Sequence, residues 1–279
     1  MLWILVLLAT LVLGFVADAR TDLRIARNSS EAAHARTIAD AGVTLAILGA
    51  FDTAPTSQWR GDGRIHTLAY GGGTIHVRIE DEDGKLDINR TPIPRLRALF
   101  AILDAEDPEL IANSIEEQRG SVIEAAKLSG NLDAVAPPAF FAMEELRELP
   151  GMTPTLYGRL GRFVTLYSDN PSVNSLTAPA EVLKSMPGAQ PARIDAMIAL
   201  REQAAAAAGR GQSTADAPIE PRQALSVFTI VSEGATPSGT RATRSATVSL
   251  TGLPEAPVHF LAWREGRPDD VAPPSAPLN

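Results

Sequence analysis

The sequence predicts an α+β fold: a long N-terminal helix, an antiparallel sheet, and an all-helical domain inserted between the two halves of that sheet. Three observations predict it. No proline occurs before Pro55, so helix-forming sequence runs unbroken from the start. Stretches of alternating apolar and polar residues then stand on both sides of a proline-punctuated block with helical periodicity. The resulting order (long helix, strands, helices, strands) is that of a helical insertion into an α+β head.

The 279 residues suffice for one large domain or two small ones, and a hydrophobic content of 45% is ordinary for a globular chain. The formal net charge of −8 argues against general nucleic-acid binding, which depends on cations neutralising phosphates. With no cysteine, disulfides, thiolate metal sites and cysteine nucleophiles are excluded.

Met1 to Ala17 carries no charge and is apolar on every face, with Leu2, Trp3, Leu5, Leu8, Leu11 and Phe15 among its large side chains. As a helix it is roughly 25 Å long, slightly short of a bilayer core of about 30 Å. A cleaved secretory signal, a membrane anchor and a buried core helix all fit that length. Ala17-Asp18-Ala19 has the small-x-small pattern of a cleavage site, but no Lys or Arg precedes the apolar run. The next segment favours the anchor. Residues 18 to 50 are rich in helix formers, with Ile25, Ser29, Ala32, Ala39, Val43 and Ile47 near one face. The two spans read as one helix of about 50 residues and some 75 Å. Its apolar half suits lipid and later a filament core; its amphipathic half suits packing on a head. Arg20, Arg24 and Arg27 follow the span and none precedes it. The positive-inside rule alone would then place the body in the cytoplasm. A basic leader upstream would remove that conflict.

Residues 52 to 63 read as a loop. Arg64 to Tyr70 and Thr74 to Glu80 read as a hairpin around Gly71-Gly72-Gly73. Setting Tyr70 opposite Thr74 puts Ile65, Thr67 and Ala69 with Ile75, Val77 and Ile79 on the buried face, and His66, Leu68, His76 and Arg78 on the other. After the Asp83-Gly84 turn, Lys85 to Asn89 alternates as a third strand of the meander. Helical patterns follow at Arg95–Leu103, Pro108–Gln118, Val122–Lys127, Met143–Leu149, Pro154–Tyr167, Ala180–Met186 and Pro191–Gln203. A low-complexity, alanine-led linker ends at Pro221. Gln223–Ser232, Arg241–Thr251 and Val258–Arg264 are further strands, before a Pro-rich tail. The expected divisions are 1–51 (helix), 52–92 (first part of the head), 93–208 (inserted helical domain), 209–222 (linker), 223–267 (second part of the head) and 268–279 (tail).

One segment repeats. Glu144-Glu145-Leu146-Arg147-Glu148-Leu149-Pro150-Gly151 returns as Glu181-Val182-Leu183-Lys184-Ser185-Met186-Pro187-Gly188. Gly151 and Gly188 can leave a helix at positive φ, and Pro154 and Pro191 can start the next helix at its first turn. Both copies resemble the helix-hairpin-helix motif, which in some proteins binds DNA phosphates through turn amides. That allows a second reading, a membrane-tethered DNA-binding protein. Against it, Thr153 and Gln190 replace the motif's second glycine, and the nearby cations are interspersed with Glu144, Glu145, Glu148 and Asp195. A structural packing unit is the preferred reading, with no nucleic acid expected as partner.

An ordered set of segments resembles the general secretion pathway protein K family, a minor pseudopilin of type II secretion. The apolar start followed by Ala19-Arg20-Thr21-Asp22-Leu23-Arg24-Ile25-Ala26-Arg27-Asn28 is similar to its anchor and proximal helix. Glu80 to Asn89 is similar to its acidic turn and strand, Glu144 to Ser168 to its helical domain, Ser172 to Pro179 to the segment leading into the next helix, and Phe260 to Arg264 to its final strand. Ile115 to Arg119 departs from the Trp- and Asp-bearing segment expected there. The resemblance implies a pilin-like fold and a single-pass inner-membrane subunit whose body lies in the periplasm. After leader removal it joins other minor pseudopilins at the tip of a periplasmic pseudopilus, and the inner-membrane secretion platform is a further implied partner. Family members typically lack the glutamate found near the mature N-terminus of other pilins, and here no acidic residue precedes Asp18.

The resemblance also makes calcium an optional ligand, although no cofactor is required. Asp81, Asp83, Asp87 and Asn89 are oxygen donors around a glycine turn, but Pro92 stands where a calcium loop would carry its bidentate Glu. His66 and His76 form a histidine pair without a third zinc ligand. Gly71-Gly72-Gly73 leads into a strand, whereas a phosphate loop leads into a helix. No nucleophile motif stands out, so an enzyme is not expected.

Overall fold

The computed structural model describes residues 2–52, 59, 61–129, 137–168, 172–209, 226–251, 253 and 255–266. One uninterrupted helix, α1 (Leu2–Ala50, 49 residues), opens the chain. It is followed by strands β1 (Asp62–Tyr70) and β2 (Gly73–Asp81), and the chain later returns as β5 (Val227–Ala235), β6 (Arg241–Leu250) and β7 (Val258–Glu265). These strands form one antiparallel sheet in the order β1-β2-β5-β6-β7. Everything between β2 and β5 is therefore an insertion between two neighbouring strands, as the element order predicts. Residues 210–225, which hold the rest of the expected linker, and the tail at 268–279 lie outside the described residues.

The C-terminal half of α1 lies across one face of the sheet. Ala35, Ile38, Ala39, Val43, Ala46 and Ala50 are buried there, against Ile75, Val77, Ile79, Phe228, Ile230, Ala246 and Val248. The approach is close because the contact residues are small. A Cβ built on Gly42 would collide with the Ser232 side chain, and one on Gly234 with the Ala35 carbonyl. This packing face is rotated from the expected one: Ile25 is exposed, and Asp40 lies half-buried beside the sheet. Ala39 and Val43 belong to both faces, and Ala35, Ile38, Ala46 and Ala50 complete the observed one.

The hairpin register also corrects an expectation. Tyr70 pairs with Gly73, and the turn is Gly71-Gly72, both at positive φ. A one-residue slip exchanges the faces. Ile65, Thr67 and Ala69 therefore point to solvent, while His66 and Leu68 join Val77 and Ile75 under α1. Lys85 to Asn89 is not a third strand of the meander. Its core, β3 (Leu86–Asp87), pairs in parallel with β4 (Val164–Thr165) in a separate two-stranded sheet.

The insertion has its own core of Leu86, Ile88, Leu96, Leu99, Phe100, Ile111, Phe140, Leu160, Val182 and neighbours. Helix α2 spans Ile93–Ile102 and α3 spans Pro108–Leu128. Asp107 caps α3, accepting from the Leu110 amide at 2.9 Å, with Pro108 at the first helical position. The two helices expected over 108–127 are this single one, because Gly120 interrupts it at only about 1 kcal/mol. Met143–Glu148 is a 3-10 turn instead of an α-helix. Helix α4 (Pro154–Leu160) ends earlier than expected, and Val164 and Thr165 leave it for the strand ladder. Helices α5 (Ala180–Lys184) and α6 (Pro191–Gly209) follow, with α6 running through the alanines assigned to the linker.

Candidate assembly surface

The N-terminal half of α1 projects from the head. Among the described residues it is the helix long and apolar enough to cross a bilayer, with a mean hydropathy of 2.4 in its most apolar window and none of that window buried. Trp3 is 86% exposed and Phe15 74%, and Leu2, Leu8 and Leu11 are equally open; Leu5 lies on the same helix. An apolar surface of this extent is not stable in water, and it marks a face meant for lipid or another protein.

Three contacts fix the angle at which α1 leaves the sheet. The His34 ring meets the Gly71 carbonyl at 3.0 Å, in the β1–β2 turn. Ser238, in the β5–β6 turn, donates to Glu31 at 2.6 Å, and this bond holds the Glu31 carboxyl below its usual range. Arg244 of β6 donates to Asp40 at 2.7 Å and to Glu265 at 3.0 Å. Both hairpin tips thus grip α1 about one helical turn apart. The sequence carried no signal for these contacts, because each joins residues far apart in the chain.

The acidic turn is divided between two roles. Asp81 accepts from the Asp83 amide, from Asn174 at 2.8 Å and from Thr177 at 2.7 Å. Asp83 accepts from Ser168 and Ser226, each at 2.6 Å. Two neighbouring carboxylates are thus ringed by neutral donors, and burial pushes the Asp81 carboxyl up despite those bonds. Asp87 and Asn89 point elsewhere: Asp87 accepts the Asn89 and Arg90 amides, and Asn89 bridges Ala139 and Phe140. The expected quartet does not converge. Among the described residues no group of three or more His, Cys, Asp or Glu could hold a metal.

Beside this turn lies an ionic cluster that sequence reasoning missed. Lys85 Nζ is 2.9 Å from Glu80 and 2.8 Å from Glu82, and Arg78 is 3.1 Å from Glu80. Burial alone would raise the Glu80 carboxyl; Lys85 and Arg78 outweigh it and hold it below its usual range. Burial opposes the charge on Lys85, but both glutamates reverse the effect and drive its pKa up. The cluster floors a cleft of about 430 Å³ between the sheet's outer face and the insertion, rimmed by Arg147, Tyr157, Arg162 and Arg264.

The repeat turns are where the sequence puts them. Gly151 has φ +83° and Gly188 φ +72°. Pro150-Gly151 packs against the α3 side chains, with Leu110 and Ile111 near Gly151, whereas the Pro187-Gly188 turn is open. The histidine pair is not one site. His66 faces α1 with its ring 5.4 Å from Trp59, and burial lowers its pKa. His76 lies on the opposite face, 3.1 Å from Thr67.

No protein-family model and no curated protein sequence matches this chain. Among solved structures, the crystal structure of the GspK-GspI-GspJ complex from the type 2 secretion system of enterotoxigenic Escherichia coli aligns with 90% of this chain and 99% of its own, at 17% identity and a TM-score of 0.48. This chain is thus similar, over most of its length, to a chain of that secretion-system complex.

Proposed function

We propose that this chain is a minor pseudopilin of the general secretion pathway protein K type, a structural and non-catalytic subunit at the tip of a type II secretion pseudopilus. The observation that carries this reading is the division of α1: an exposed apolar half followed by a half clamped on an antiparallel sheet. Such a helix can be stored in a membrane and then transferred to a bundle of like helices without refolding the head. The segments from Ala19 to Asn28, Glu80 to Asn89 and Phe260 to Arg264 add support through their order along the chain.

In this reading the protein is single-pass in the inner membrane, with its body in the periplasm. Its partners are other minor pseudopilins and the inner-membrane secretion platform. Deleting the gene is expected to block export of secreted enzymes without changing their synthesis. Normal export in the deletion strain would refute the assignment. Tagged full-length protein is also expected to co-isolate with sister pseudopilins from solubilised membranes.

Calcium remains optional, with Asp81 and Asp83 as the residues that would hold it. A calcium-dependent rise in melting temperature, absent in Asp81→Asn/Asp83→Asn, is the expected signature. Identical melting in calcium and in chelator removes the ion from the reading.

A further inference from the structure

Arg20, Arg24 and Arg27 follow directly on the apolar span, and all three are exposed. At about 100° per residue they fall within an arc of about 60° on one side of α1, and Asp18 and Asp22 fall on the opposite side. The helix therefore separates its charges, one sign to each flank. Arg20 and Arg24 have no acidic residue three or four positions away that could neutralise them. Arg27 has Glu31 four positions on, whose negative charge it feels, so the unbalanced cations of the stripe are Arg20 and Arg24. Stacked like charges at this spacing weaken a helix. An anion from outside the chain would turn that cost into a contact.

Depth identifies the anion. The apolar run ends at Ala17, so the hydrocarbon boundary lies close to that point. From Arg20 to Arg27 the helix rises only about 10 Å, which spans the headgroup layer and little beyond it. Arg20, nearest the hydrocarbon, is long enough to extend its guanidinium outward to the same layer. A planar guanidinium binds a phosphate oxygen pair well.

We propose that Arg20, Arg24 and Arg27 clamp the anionic phospholipid headgroups of the leaflet on the head side of the membrane. This rests on the anchor reading above. It also accounts for cations on the side of the span that the positive-inside rule disfavours. The stripe would hold the stored subunit upright until assembly pulls it free.

The full-length chain is reconstituted with phosphatidylcholine vesicles, as wild type and as R20Q/R24Q/R27Q. Both are expected to float with the vesicles, since the apolar span is unchanged; failure of both to float overturns the anchor reading and the clamp with it. Each is next purified in mild detergent with equimolar phosphatidylglycerol and phosphatidylcholine. The wild type is expected to retain phosphatidylglycerol at least about fivefold over phosphatidylcholine, the preference that roughly one arginine near a headgroup confers. The triple variant is expected to retain them equally, and Asp18→Asn/Asp22→Asn to keep the preference. A ratio near one in the wild type, or an unchanged ratio in the triple variant, overturns the clamp and leaves the anchor standing. A triple variant that keeps the lipid ratio but no longer co-isolates with sister pseudopilins would assign the stripe to a protein partner instead.

Discussion

Single residues show where this fold holds charge and where it stores strain. Lys85 is buried between Glu80 and Glu82, so Lys85→Met would leave two buried carboxylates with Arg78 at 3.1 Å from Glu80 and the weaker influence of Arg162 as counter-charges. Urea unfolding is expected to show a loss of about 3–5 kcal/mol, the usual result of breaking a buried pair from one side. The pH dependence has a definite sign. Glu80 has a folded pKa below its ordinary value of 4.5, so its contribution is complete above that value and disappears as pH falls through the lower, folded one. Acid unfolding of the wild type is therefore expected to be steeper below pH 4.5 than that of Glu80→Gln. Asp104 offers the opposite case. It ends α2 at φ +55°, and the amide of the following Ala105 reaches back to the Phe100 carbonyl. Glycine has no Cβ penalty in that conformation. Asp104→Gly is expected to raise stability by about 0.5–1 kcal/mol, seen as a higher melting temperature.

The elements divide into two units with separate cores. The sheet and α1 share one apolar cluster, and the insertion has another. The outer face of the sheet, under the insertion, carries Arg78, Glu80, Thr229, Ser245 and Thr247, residues that tolerate water. Asp81 and Phe228 are already paired across β2 and β5, so a short turn can replace residues 83–226. The shortened chain is expected to keep its helix and sheet, read by circular dichroism; loss of both would show that the insertion is needed to form the head. Within the head, helix–sheet distance is set by glycine. Gly234→Val would drive a side chain into the Ala35 carbonyl and is expected to cost about 3 kcal/mol or more by denaturant titration.

For the whole molecule, the decisive feature is that none of the described side chains of residues 2–30 belongs to either core. A chain beginning at Arg20 is expected to fold with an unchanged melting temperature and to remain soluble. The full-length chain should stay in the membrane pellet after alkaline extraction. If the truncated form unfolds, the apolar segment belongs to the fold and the anchor reading fails.

Periodicity and composition by themselves determined the long helix, the inserted helical block and the three returning strands, because these signals are local: absence of proline, alternation, and proline at first turns. They also located the turns at Gly151 and Gly188, where backbone geometry selects the residue. Only the tertiary structure decided the register of β1 on β2, the parallel pairing of Leu86-Asp87 with Val164-Thr165, and the face of α1 that meets the sheet. The same holds for the acidic turn, where Asp81 and Asp83 converge with Ser168, Asn174, Thr177 and Ser226 while Asp87 and Asn89 turn away. Pairing and convergence depend on residues distant in the chain, and a local pattern is nearly the same on either side of a one-residue slip.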